Sequence, residues 1–239
     1  MSTASERPRD HTPSAELRAA WHDLLAAAGA AGYAVGELVR APATPEDIAA
    51  AERAVGRRLP DDLADLYLLS DGQVDWWGLA RGPAGDQARG RGRWVGSLFG
   101  EGWSFDSLEH LVSGYRMWAD VRGGYTADEL ATDFDEAVEV RGDDPVRKLY
   151  TCPDWLPFAT DGGGNALAVD LAPAPGGTVG QVIVIGSDED LRRVIAPSVR
   201  ALLRLCTHRL RAVAAAPEVD QGVWLYALEV SETSGDRGP

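Results

Sequence analysis

The residues able to do chemistry in this 239-residue chain are few, and their spacing does not suit them to it. His11, His22, His110 and His208 include no i,i+4 pair and no H-E-x-x-H arrangement, so they do not write a zinc site. Cys152 and Cys206 match no metal-ligand spacing and read as two reduced thiols, with nothing local to depress the pKa of Cys152. The run Gly162-Gly163-Gly164-Asn165 invites a phosphate-cradle reading. A P-loop closes a strand-to-helix turn with Gly-Lys-Ser/Thr, whereas here no Lys follows and a strand does. The run is a β-turn, with Asp161 and Asn165 bonding to turn backbone. A G-x-S-x-G nucleophile elbow is missing. Asp61/Asp62 and Asp143/Asp144 are read as a helix start and a solvated loop rather than paired catalytic carboxylates. No catalytic, cofactor-binding or metal-binding residue is therefore assigned, and no enzyme is expected. A catalytic set drawn from distant positions stays open.

Charge and aromatics point instead to a surface function. The formal charge of −14 argues against general affinity for nucleic acid or anionic membrane, both of which need cationic surface. Between residues 120 and 144 there are nine acids and two arginines, leaving −7, half the excess of the whole chain. Aromatics anchor protein interfaces and charges steer them. The candidate partner-binding set is accordingly Asp128, Glu129, Asp133, Asp135, Glu136 and Glu139, with Trp76 and Trp77. The two tryptophans are adjacent, so on a strand they point to opposite faces and one is left exposed. The same acids would equally serve to keep the protein in solution.

The elements that carry these residues are marked by caps and apolar spacing. Ser14 caps a first helix with Leu17, Trp21, Leu24, Leu25 and Ala28 on one stripe. Thr44 caps a second that opens on Pro45 and buries Ile48, Ala51 and Val55, and Gly56 stops it. Pro60 and Asp61 start a third with Leu63, Leu66, Tyr67 and Leu69 inside, and Gly72 supplies a turn with φ > 0. Residues 74–79 and 94–99 read as strands around a glycine- and arginine-rich loop at 80–93. Ser104 or Asp106 is expected to cap a helix carrying Leu108, Leu111, Val112, Tyr115 and Trp118. Thr126 with Glu129 writes a capping box ahead of Leu130, Phe134 and Val138. Residues 156–160, 166–171 and 181–185 are strands, the last apolar on both faces and so central. A long helix follows Pro197, and 223–230 is a candidate extra strand. Residues 1–13 are expected to be a disordered leader, 14–230 one domain and 231–239 a disordered tail. Without an apolar leader or a span of ~18 apolar residues, a cytoplasmic location is expected.

Two blocks of these residues carry a family resemblance. Ala51-Glu52, Gly56, Leu59-Pro60-Asp61-Asp62-Leu63, Tyr67 and Ser70-Asp71-Gly72 form the first. The second runs through Trp155-Leu156-Pro157-Phe158-Ala159, the glycine run, Val169-Asp170-Leu171 and Gly180-Gln181-Val182-Ile183. Val194, Pro197, Ser198, Leu202 and Leu203 close the pattern. In this order they resemble the SUKH superfamily, the Smi/Knr cell-wall-assembly-regulator-like domains. The resemblance implies an α+β fold in which N-terminal helices pack on a mixed or antiparallel central sheet with a closing C-terminal helix. It also implies a non-enzymatic protein-binding function. Members are often bacterial immunity proteins that neutralise a cognate toxin, and others are intracellular regulators or scaffolds, as in fungal cell-wall assembly. The expected partner is a protein, a basic toxin domain being the form the acidic charge suits. The family's shared residues are structural and do not identify the binding face.

Overall fold

The computed structural model describes residues 12–74, 97–100 and 102–215. Trp76, Trp77, Trp94 and Trp224, the loop at 80–93, the expected strand 223–230, the expected tail and the first eleven residues of the expected leader lie outside them. Of the expected strands 74–79 and 94–99, only Val74 and residues 97–99 are described, and none is in a strand.

The N-terminal helices form where caps and apolar spacing place them. Ser14 caps α1 (Ala15–Ala30) through the Leu17 N–H, and Leu17, Trp21, Leu24 and Ala28 are buried. After the short α2 (Val35–Leu38), Thr44 and Asp47 make a full capping box for α3 (Pro45–Val55), and Gly56 ends it in the left-handed conformation. Each such cap answers backbone N–H groups that the first turn leaves without partners, at about 1 kcal/mol per cap. Then α4 (Asp61–Tyr67) buries Leu63, Leu66 and Tyr67, while Leu69 lies just beyond it and is half-buried. Gly72 follows at φ +83°, and a Cβ there would lie 2.6 Å from the Ser107 nitrogen. The helix pair is thereby pressed directly against the backbone leading into the next helix.

That backbone includes β1 (Ser104–Phe105) and then α5 (Leu108–Gly123). The cap of α5 is Ser107, not Ser104 or Asp106. Ser104 is taken by pairing with Thr160, and the Asp106 carboxylate accepts the Thr160 hydroxyl, so Ser107 is left at the helix start. Beyond α5, the Thr126–Glu129 capping box opens α6 (Ala127–Glu129), which widens into a π-helical turn at Leu130–Asp135. The remaining elements are β2 (Glu139–Val140), β3 (Trp155–Thr160), β4 (Asn165–Asp170), β5 (Gln181–Gly186), β6 (Leu191–Ala196) and α7 (Val199–Ala215).

The sheet runs β1-β3-β4-β5-β6-β2, antiparallel throughout except for the parallel β6–β2 pair. The fold is thus α+β with a mixed sheet, and β5 is central as its two apolar faces require. β6 is a strand that apolar patterning does not reveal, because Arg192 and Arg193 interrupt it.

Strand alternation divides the core in two. Leu167, Val169, Val182 and Val184 join the cluster that holds α1, α3, α4 and α7. Their neighbours Ala166, Ala168, Ile183 and Ile185 face the other way, with Trp118, Val146, Cys152 and Trp155. The helices thus cover one face. The segment from α5 to β3 covers the other.

Candidate protein-interaction surface

The second face is where the candidate acids stand. Asp128, Glu129, Asp133, Glu136 and Glu139 are exposed and Asp135 is half-buried, whereas Trp76 and Trp77 are not described. Two of the six have structural duties. Glu129 accepts the Thr126 N–H at 2.7 Å and its hydroxyl at 2.9 Å, and the backbone bond in particular holds its carboxyl below the usual range. Asp135 accepts the Tyr150 N–H at 2.6 Å, tying the acidic helix to the chain that leads into β3.

A row of rings lies under the acids. Tyr125 meets Phe134 at 4.7 Å between centroids, Phe134 meets Tyr150 at 5.0 Å, and Tyr150 meets Trp118 edge-on at 5.6 Å. Such offset and edge contacts stabilise by about 1 kcal/mol each beyond buried area. The row runs from the buried Trp118 to the surface, where Tyr125 is 46% exposed.

Arg192 fixes this assembly to the sheet. Its guanidinium donates to the carbonyls of Leu149 and Tyr150 at 3.1 and 2.9 Å and to that of Glu189. It also lies 6.0 Å from both the Tyr150 and the Trp155 rings. Burial lowers its pKa to about 10, so it stays cationic at neutral pH. Beside it, Arg193 and Glu189 form a buried ion pair at 2.8 Å. Burial pushes the Tyr150 phenol up, with Arg192 opposing and Asp188 and Asp190 adding to the rise. The β5–β6 turn lies against the end of the acidic segment, since the Glu139 N–H donates to the Asp190 carbonyl at 2.8 Å and Glu139 pairs with Leu191.

Sequence reasoning missed Arg192, Arg193, Tyr150 and the turn acids. The available signal was Ser187-Asp188-Glu189-Asp190, a polar turn between two β-prone runs, which would have exposed β6. It also took Asp144 for a solvated residue. Instead Asp144 accepts the Val194 N–H at 2.8 Å and pairs with Arg141 at 3.1 Å, while Arg141 donates to the Val194 carbonyl. These two side chains occupy backbone groups of β6 beyond the two-residue reach of β2.

On the other side of α5 a groove of about 310 Å³ lies between that helix and the β3–β4 hairpin. Asp106, His110 and Ser113 line it, the residue types of a hydrolytic triad. They are not connected as one. The Ser113 hydroxyl donates to the His110 carbonyl of its own helix, and the Asp106 carboxylate accepts from Thr160. Burial raises the Asp106 carboxyl to about 6, with the Thr160 hydrogen bond and nearby His110 opposing. In the hairpin at the groove's rim Asp161 accepts the N–H groups of Gly163 and Asn165 at 2.7 and 3.1 Å as expected, but the Asn165 side chain donates to Asp161 and accepts the Asp188 N–H rather than bonding to the backbone of its own turn.

Both thiols are buried, which pushes Cys152 up and Cys206 up to about 12, so neither is activated as a nucleophile. Among the described residues no three His, Cys, Asp or Glu side chains gather to hold a metal, and no helix is long and apolar enough to cross a membrane. The described tryptophans Trp21, Trp103, Trp118 and Trp155 are all buried.

Comparison with known proteins places this architecture. The family model SMI1 / KNR4 family (SUKH-1) matches residues 42–205. The chain is 30% identical over 187 residues to the cell wall biosynthesis/cell cycle regulator smi1 of Schizosaccharomyces pombe, covering 77% of this chain and 32% of that protein. It is 39% identical over 87 residues to a glucan synthesis regulatory protein of Neurospora crassa, 36% of this chain and 15% of that one. To the cell wall assembly regulator SMI1 of Saccharomyces cerevisiae it is 47% identical over 51 residues, 21% of this chain and 10% of that one. The matched parts are thus about a third or less of these relatives' lengths. With both motif blocks seated in one α+β fold and the model matched from α3 to α7, the chain belongs to the SMI1/KNR4 family (SUKH-1).

Proposed function

We propose that this chain is a non-enzymatic protein-binding module that works as an intracellular, cytoplasmic regulator or scaffold of the cell-wall-assembly kind. The names of its relatives, regulators of cell-wall biosynthesis and assembly, support this reading over toxin neutralisation. The observation that carries it is the face where the half-exposed Tyr125 ring stands beside Asp128, Asp133 and Glu136, with Asp188 and Asp190 on the adjoining turn. An aromatic anchor with an acidic surround suits a basic protein partner: charge speeds and orients the encounter, and the ring supplies the buried contact.

Reversing Asp128, Asp133 and Glu136 to Lys tests this in the full chain, with co-purification from the native cell as the readout. A regulatory partner retained by the wild type should be lost, or bound at least tenfold more weakly, by the triple variant. Unchanged retention would overturn this choice of face. The toxin-neutralising reading keeps one observation in its favour, the −7 carried by residues 120–144. It predicts that the retained partner is a stoichiometric toxin domain encoded beside this chain.

A further inference from the structure

The groove between α5 and the β3–β4 hairpin contains a largely buried carboxylate to which the described residues supply one side-chain donor. Asp106 is only 8% exposed. Its backbone is locked in place, since its N–H donates to the Phe158 carbonyl at 2.9 Å and its own carbonyl accepts the Tyr67 hydroxyl at 3.1 Å. Its Oδ1 accepts the Thr160 hydroxyl at 3.1 Å, while Oδ2 receives no hydrogen bond from any described residue. A buried carboxylate with a single neutral donor is poorly compensated for its lost hydration, and the rise of its pKa to about 6 expresses that cost.

The rest of the groove suits a long aliphatic stem. Met117, Trp118 and Pro157 form apolar wall, and Met117 is 48% exposed. Gly114 sits mid-helix facing Pro157, where an added Cβ would lie 3.4 Å from the ring. Glycine there costs the helix about 1 kcal/mol relative to alanine, and its lack of a side chain lets helix and hairpin approach closely while the groove stays open. Of the described residues lining the groove, only Asp106 and His110 are titratable. The volume of about 310 Å³ exceeds what one lysine side chain needs, and a groove that combines apolar wall with a carboxylate is the complement of a lysine.

We propose that this groove receives a lysine side chain of a protein partner, with the methylenes lying along Met117, Trp118 and Pro157 and the ammonium meeting Asp106. The inference rests on the protein-binding reading above and adds to the acidic face a specific socket on the other side of α5. Thr160 is bonded to the carboxylate, and Ser113 and the β-turn at 162–165 add polar lining.

The test is an amide NMR titration of the full chain with N-acetyl-lysine methylamide, and with N-acetyl-norleucine methylamide as the analogue lacking the ammonium. Saturable shifts are expected at Asp106, His110 and the 162–165 turn. Binding should weaken at least tenfold for norleucine and for Asp106→Asn, which retains an acceptor for Thr160. It should stay within twofold for Glu109→Gln, an exposed acid on the same helix outside the groove. Equal binding of the two probes, or undiminished lysine binding by Asp106→Asn, would overturn the socket. The two readings fail separately. A partner lost on reversing the acidic face but held at full strength by Asp106→Asn would sink the socket and leave the binding face standing. Asp106-dependent lysine binding by a chain that retains no partner would do the reverse.

Discussion

Residues 44–72 and residues 126–150 begin with the same device and are held in place by different forces. Each opens on a threonine capping box, Thr44 with Asp47 and Thr126 with Glu129. After Thr44 the helices bury Ile48, Val55, Leu63, Leu66 and Tyr67 in the larger core cluster. After Thr126 the helix lasts one turn, broadens into a π-helical turn, and buries none of its residues. The second region buries only Val138 and Val146, and polar bonds fasten the rest: Asp135 to Tyr150 within it, Asp144 to Val194, and Arg192 to the carbonyls of Leu149 and Tyr150. One region is an apolar platform. The other is a charged lobe pinned to it by a few long-range bonds, as suits a surface whose outward side chains are free to vary.

Removing the chief pin should show this most strongly. Arg192→Met would leave three buried carbonyl acceptors without their guanidinium, and losses of this kind run to about 3–5 kcal/mol. Hydrogen exchange should show protection lost first at residues 126–150, with α3 and α4 protected until global unfolding. Simultaneous loss in both regions would erase the distinction.

A smaller effect of opposite sign is expected on the platform side, where Asp106, whose carbonyl accepts the Tyr67 hydroxyl, carries a carboxyl raised from 3.8 to about 6. A folded pKa above the unfolded one means that the stabilising contribution is present below about 3.8 and is lost as pH rises through about 6. At ~1.4 kcal/mol per pH unit between those values, the ionised group destabilises the fold by about 3 kcal/mol at most. Asp106→Asn should therefore be more stable than wild type at pH 7 by up to that amount, with the gap closing by pH 4. Urea denaturation across that range measures it, and a gap independent of pH would refute the assignment. Nearby His110 and the Thr160 hydrogen bond work to reduce the effect.

The finest comparison uses the matched caps. Thr44→Ala and Thr126→Ala each remove about 1 kcal/mol of local helix stability. At Thr44 the loss should appear in the midpoint of global unfolding, because that helix is part of the core. At Thr126 it should appear as faster exchange in the next few amides with the midpoint nearly unchanged. Equal shifts of the two midpoints would show the charged lobe to be as cooperative as the platform.

The platform was legible in the sequence because each of its elements is specified within a few residues: Ser14, Thr44 and Gly56 mark ends, and apolar spacing marks faces. The candidate surface was legible only as charge. Arg192 and Arg193 interrupt the apolar pattern of the last strand although both are buried, and that concealed β6. Asp144 and Asp106 were obscured in the same way, one spent on a strand backbone and the other buried beside Thr160.

By itself, then, the chain's order of residues determined the helices, the glycine turns, the central strands and the family motif, all of which depend on near neighbours and side-chain periodicity. Only the tertiary structure decided which arginines are buried, that the β5–β6 turn lies against the end of the acidic segment, and where the Asp106 groove opens. The physical reason is range. Caps and apolar stripes act over one or two turns of chain, whereas a buried charge is stable or costly according to partners brought in from 40 or more residues away, as for Arg192 with Leu149 and Tyr150 and Asp106 with Thr160.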